Sequence, residues 1–236
     1  MSVDEQGLLL GMISTISGIL IFLSEIPGSW IIDRLTSWLK VDPLIWRVHL
    51  KRIWGFIWLG VLPLLVILIL DQGVSHGYGL LNIGSLPTWM LVMALSALII
   101  VVNFFNSQSK SNLGRYPEIK LNKWSVYSIL SSGVTWILYL IAYEFLFRGI
   151  LLFSSMQLLQ PITAITLNIT IYSLFHLQKG QKEIIASIPF GIILCLLTIK
   201  SQSIWPAIFL HNILALSNEW LSIYFKSEKT LKSKNI

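Results

Sequence analysis

Apolar residues run along this chain in blocks that are too long for strands and too uniform for surface helices. Seven blocks can be drawn: Gly7 to Ile26, Ile53 to Leu70, Leu86 to Phe105, Trp124 to about Leu159, Ile162 to Leu177, Ile184 to Ile199 and Ile204 to Phe225. A helix needs roughly 20 residues to cross the hydrocarbon layer, with about 17 as a lower limit. The first block is weakened by Ser and Thr. The fifth and sixth are short, which places them inside the bundle or where the bilayer is thin. One segment has another pattern. In Trp30 to Lys40, Trp30, Ile31, Leu35 and Trp38 share one helical side, with Asp33, Arg34 and Ser37 on much of the other. That suits a helix lying in the membrane interface or a loop helix packed on the bundle, and the pattern leaves both open.

Charge placement orders the blocks. Arg34, Lys40, Arg47, Lys51 and Arg52 fall between the first two, whereas Asp71 to Ser85 carries no Lys or Arg. Lys110, Arg115, Lys120 and Lys123 fill the next connection, Lys179 and Lys182 follow the fifth block, and Lys226, Lys229, Lys232 and Lys234 occupy the tail. If basic loops stay cytoplasmic, the N-terminus is outside and the C-terminus inside. That parity requires seven spans, with Trp124 to Leu159 as one long, tilted or kinked helix. The expected fold is therefore all-α, a polytopic bundle of about seven transmembrane helices. It forms a single transmembrane domain over residues 1–225, with a short, frayed basic tail over 226–236.

Composition agrees with a membrane protein. Of 236 residues, 55% are apolar and only 12% charged, and the mean hydropathy is +0.74. Soluble domains carry about 25% charged residues. A single cysteine, Cys195, rules out a disulfide scaffold or a cysteine metal cluster. The net charge of +6 fits cytoplasmic loops and anionic lipid rather than nucleic acid, because no base-reading motif accompanies it. The acidic start MSVDEQG lacks a positive n-region and does not read as a secretory signal.

Several polar groups in the C-terminal half are not needed by any of this. Glu144 and Arg148 stand four residues apart in IAYEFLFRGILL, on one helical face where carboxylate and guanidinium can pair. Either charge is costly in hydrocarbon, so both should face the bundle interior. His176 and His211 lie on two further blocks. Neutral imidazoles can ligate zinc, and a carboxylate can bind metal or take a proton from metal-bound water. No HExxH sequence is present, so any metal ligands must come from separate helices. The residues alone leave open a buried packing pair with two core histidines, or an inward cluster with hydrolytic chemistry.

The spacing of these groups resembles the CPBP family of intramembrane proteases, related to the type II CAAX prenyl protease and to bacterial lysostaphin-resistance or Abi proteins. That family is marked by EExxxR, FxxxH and HxxxN or HxxxD on separate helices. Here the first motif reads Tyr143-Glu144-Phe145-Leu146-Phe147-Arg148 followed by Gly149, and the second reads Tyr172-Ser173-Leu174-Phe175-His176. The third reads His211-Asn212-Ile213-Leu214-Ala215 after Ser203-Ile204-Trp205-Pro206-Ala207. The resemblance covers about Trp124 to Leu216. It implies an intramembrane endopeptidase acting on a membrane-associated peptide or protein, with Glu144, Arg148, His176, His211 and Tyr143 as site residues. His176 and His211 would be ligands of a divalent metal such as zinc.

The departures also carry information. Tyr143 occupies the position of the first motif glutamate, held in the family to activate water or contact metal, and Ala215 that of the asparagine after the last histidine. Asn212 is one residue from His211, a 100° turn away from that position. Tyrosine, with a pKa near 10, is a poor base at neutral pH. Glu144 could replace it only with a local helix rotation or a π-bulge. The alternative is thus a catalytically inactive member that binds peptide or protein in an immunity or regulatory role. A small transporter is the weakest reading, since too few polar residues line the blocks to draw a path.

Overall fold

The computed structural model describes residues 42–70, 77–177 and 180–234, with isolated helical positions between residues 9 and 38. The first apolar block and the Trp30-to-Lys40 segment lie almost wholly outside these residues. All the regular elements described are helical: α1 (Pro43–Phe56), a π-turn (Ile57–Val61) and α2 (Leu62–Leu70). A 3-10 turn (Gly77–Gly79), α3 (Leu86–Asn106) and α4 (Lys110–Arg115) follow. Then come α5 (Val126–Glu144), a π-stretch (Phe145–Leu152) and α6 (Phe153–Leu158). The chain continues with α7 (Pro161–Leu174), α8 (Gln181–Ser201) and α9 (Trp205–Lys234). Four described helices are long and apolar enough to cross a membrane: Pro43–Ile69, Leu86–Asn106, Val126–Leu158 and Gln181–Ser201. The protein is an integral, polytopic membrane protein.

Local chemistry fixes the helix ends. Asp42 Oδ1 accepts from the Leu44 N–H at 2.9 Å, and Pro43 takes the first helical position, where no donor is needed. Helix α1 therefore starts ten residues before Ile53, and Arg47, Lys51 and Arg52 ride on a helix rather than in a loop. Ser109 and Ser125 cap α4 and α5 by accepting from the N–H groups of Asn112 and Ser128 at 3.2 and 3.1 Å. The expected single helix from Trp124 to Leu159 is continuous over Val126–Leu158, with the π-stretch in its middle. Two expectations change. The sixth block is a 21-residue helix, long enough to span, because Gln181, Lys182 and Glu183 extend it at one end and Lys200 and Ser201 at the other. Among the described residues the chain stays helical past Phe225: α9 runs to Lys234 through lysine and glutamate, good helix formers with no breaker among them.

The described residues form two compact units, each gathered from separate stretches of chain. The first takes the described residues of 55–90 and 141–209, the second those of 42–54, 91–140 and 210–234. In the first unit α7 packs on α8, and both meet the π-stretch. The π-turn meets the same stretch. A Cβ on Gly60 would come within 2.7 Å of Ala142 Cβ, so glycine is what lets these backbones approach. The segment after the 3-10 turn is strapped down. Gly79 O accepts from Ile204 N–H at 3.1 Å, Leu80 O from Trp205 Nε1 at 2.9 Å, and Ser201 O from Asn82 Nδ2 at 2.9 Å.

The second unit is organised around Arg52, which is 3% exposed. Its Nη2 meets Glu118 Oε2 at 2.8 Å and Glu219 Oε1 at 3.9 Å. Nη1 donates to Ser132 O, Ser132 Oγ and Thr135 Oγ1 at 3.0–3.2 Å, and the guanidinium lies 4.2 Å from the Trp136 ring centre. Glu219 also accepts the backbone N–H of Glu118 at 3.1 Å. Nearby, Asn103 Nδ2 donates to Leu214 O and Ser217 Oγ at 2.9 and 2.7 Å. On α3, by contrast, Met90, Met93, Leu98, Val102 and Phe105 are exposed, as a lipid-facing helix requires.

Replacing Arg52 with Met leaves buried Glu219 without its cation, which typically costs about 3–5 kcal/mol. The melting temperature in detergent should fall sharply, and adding Glu219→Gln should recover part of the loss. Additive losses in the double variant would show that the two side chains are not coupled.

Candidate functional site

Four of the five expected site residues lie in the first unit. Tyr143 and Glu144 close α5, Arg148 sits inside the π-stretch, and His176 follows the end of α7. His211 lies on α9 in the second unit, where it and Asn212 are buried.

Glu144 and Arg148 are both fully enclosed, and Arg148 Nε stands 3.2 Å from Glu144 Oε2. The face-sharing that four-residue spacing implies is realised even though the π-stretch begins at Phe145. The guanidinium lies over the Tyr172 ring, 4.4 Å from its centre, with the Phe147 ring at 5.8 Å. A cation against aromatic faces is attracted by their quadrupoles. Gly191 of α8 makes room for this arrangement. A Cβ there would sit 3.2 Å from Tyr172 Cδ1 and 3.7 Å from Arg148 Nη2.

Tyr143 is buried in an aromatic cluster, with ring centres 4.7 Å from Phe147, 5.7 Å from Tyr172 and 5.6 Å from Phe175. His176 joins the same cluster, 5.0 Å from Tyr172. Its Nδ1 faces Tyr172 O at 3.0 Å. A carbonyl only accepts, so Nδ1 carries a proton. One unit thus holds a carboxylate, a guanidinium, a phenol and a half-buried imidazole.

A wide helical turn loosens the regular ladder, and buried backbone groups then need other partners. Asn168 of α7 meets this need: its Nδ2 donates to Phe147 O at 2.6 Å, and its Oδ1 accepts from Cys195 Sγ at 3.4 Å. Sequence reasoning missed Asn168. The available signal was a single amide in the apolar run NITIYSLFH, eight residues before His176. Asn103 and the Arg52 cluster were missed as well, Arg52 because it stood among loop charges.

The comparisons with known proteins bear on this region. Residues 122–217 match the Rce1-like family, described as type II CAAX prenyl endopeptidase Rce1-like. No curated protein and no solved structure matches the chain. The Rce1-like stretch begins just before α5 and ends within α9, so it contains all five expected site residues. It leaves out Arg52 and Glu118, and Glu219 lies just beyond it.

A hydrolytic zinc takes three protein donors and keeps one position for water. Among the described residues, no three His, Cys, Asp or Glu side chains gather in this way. In the first unit the carboxylate is held by Arg148 and one imidazole nitrogen by a carbonyl.

Replacing Glu144 with Gln removes the carboxylate from a fully enclosed guanidinium. The loss should again be about 3–5 kcal/mol, read as a lower melting temperature in detergent. An unchanged value would show that the pair contributes no stability.

Proposed function

We propose that the chain is an intramembrane endopeptidase of the CAAX-protease-like type, hydrolysing a peptide bond of a membrane-associated substrate. The observation that carries this reading is the enclosed Glu144–Arg148 pair, with His176 in the same unit, inside the Rce1-like stretch. Glu144 is the general base: it takes a proton from water as the oxygen adds to the scissile carbonyl. The same proton then passes to the leaving nitrogen as the C–N bond breaks, the usual exchange of roles for such a base. Arg148 holds the carboxylate in place and stabilises negative charge. His176 Nε2 orients the water, and the Tyr143 hydroxyl donates to the developing oxyanion. His211 is assigned to the same reaction from its motif position. The pair is closed off from solvent, so a substrate has to open the packing around it before water meets Glu144. Basic loops on the cytoplasmic side would set the N-terminus outside and the C-terminus inside.

A second reading is favoured by Tyr143 itself. A buried phenol stands where the family has its water-activating carboxylate, and Glu144 is already engaged by Arg148. On this reading the protein binds a peptide or partner protein without cutting it, in an immunity or regulatory role. Loss of a general base removes about 10²- to 10⁴-fold in rate.

The two are separated by incubating purified protein with a farnesylated CAAX peptide and an unprenylated membrane peptide, each with and without added zinc. The endopeptidase reading expects wild-type cleavage of at least one peptide, lost on His176→Ala or His211→Ala with melting temperature retained. The binding reading expects both peptides intact with wild type and cleavage gained by Tyr143→Glu, alone or joined with Ala215→Asn. Cleavage that survives both histidine changes overturns the assigned mechanism.

A further inference from the structure

The connection between α3 and α5 is built as a fixed platform. Ser107 Oγ donates to Asn103 O at 2.6 Å, and Asn112 Nδ2 donates to Ser222 Oγ of α9 at 2.8 Å. Lys120 Nζ donates to Gly114 O and Arg115 O at 3.0 and 2.7 Å, tying the later part of the loop to the end of α4. Glu118 is fastened twice, by its carboxylate to Arg52 and by its N–H to Glu219.

This fastening sorts the charges. The Glu118 carboxylate is engaged by Arg52, and Glu219 is 1% exposed. Lys110, Arg115, Lys120 and Lys123 are exposed, and Lys226 on α9 is half-buried. Large apolar side chains flank them. Phe105 at the end of α3 and Val126 and Tyr127 at the start of α5 are 68%, 73% and 76% exposed. The loop joins two helices where their apolar sequence stops, so its cations stand at headgroup level with apolar side chains beside them. A ligand that fits both has an anionic head and a hydrocarbon tail.

We propose that this platform binds anionic phospholipids of the adjoining leaflet, with their phosphates held by Lys110, Arg115, Lys120, Lys123 and Lys226. If basic loops lie on the cytoplasmic side, that leaflet is the cytoplasmic one. Burial, with the nearby Lys226 ammonium acting in the same direction and the Glu219 and Glu118 carboxylates opposing it, pulls Lys120 below the ordinary lysine value. A phosphate beside the two lysines relieves their repulsion. The assignment does not depend on peptidase activity, since none of these residues belongs to the Glu144 site.

The test is native mass spectrometry of the full chain in neutral detergent, with equimolar phosphatidylglycerol and phosphatidylcholine of matched acyl chains. Wild type should retain phosphatidylglycerol preferentially, and raising salt to about 0.5 M should erase the preference by screening. In Lys110→Gln/Lys123→Gln/Lys226→Gln the preference should fall about fivefold for each cation removed. The corresponding triple Arg variant should keep it, and melting temperatures should be unchanged in both. Equal retention of the two lipids by wild type overturns the proposal. A folded Gln variant with wild-type preference does so too. Complete displacement of phosphatidylglycerol by inorganic phosphate alone would identify a free-phosphate site and reject the lipid.

Discussion

A guanidinium taken out of water has to keep a carboxylate within reach, because desolvating an unpaired charge costs more than local packing can return. This chain meets the requirement in both units. In the first, Arg148 and Glu144 lie on one continuous helix, so a single segment brings the two charges together. In the second, Arg52, Glu118 and Glu219 come from α1, a loop and α9. That cluster exists only when all three segments are in place. The local pair therefore sets the chemistry of one helix, while the distant cluster sets which segments come together.

Irregular backbone is handled with similar economy. The π-stretch that holds Arg148 leaves its neighbourhood dependent on Asn168, whose amide donates to the Phe147 carbonyl. Gly60 and Gly191 contribute by absence, leaving space for Ala142 and for Tyr172 beneath Arg148. These residues carry no chemistry of their own toward a substrate. They hold the backbone and rings that position those that do.

The sequence made the all-α membrane class legible, because hydrocarbon thickness leaves its length directly in the apolar blocks. It also made the Glu144–Arg148 pairing legible, since a four-residue spacing is a local property of a helix. Three things could not be read this way. The start of α1 depends on one aspartate cap at Asp42, easily lost among nearby charges. The length of α8 exceeds its apolar block because polar residues can extend a helix beyond the hydrocarbon. Arg52 gave no sign of burial, as its partners lie 66 and 167 residues further along the chain. Two of the motif departures, at Tyr143 and Ala215, were plain in the sequence, yet their effect on chemistry turns on how firmly Arg148 holds Glu144.

Helix α9 acts as a measuring rod. From Trp205 to Ser222, where Asn112 grips it, its rise is about 26 Å at roughly 1.5 Å per residue, near the hydrocarbon thickness of about 30 Å. The stretch from there to Lys234 adds about 18 Å more. A helix of that length is longer than the hydrocarbon layer is thick. The same continuous helix that carries His211 therefore also carries the lysines of the tail.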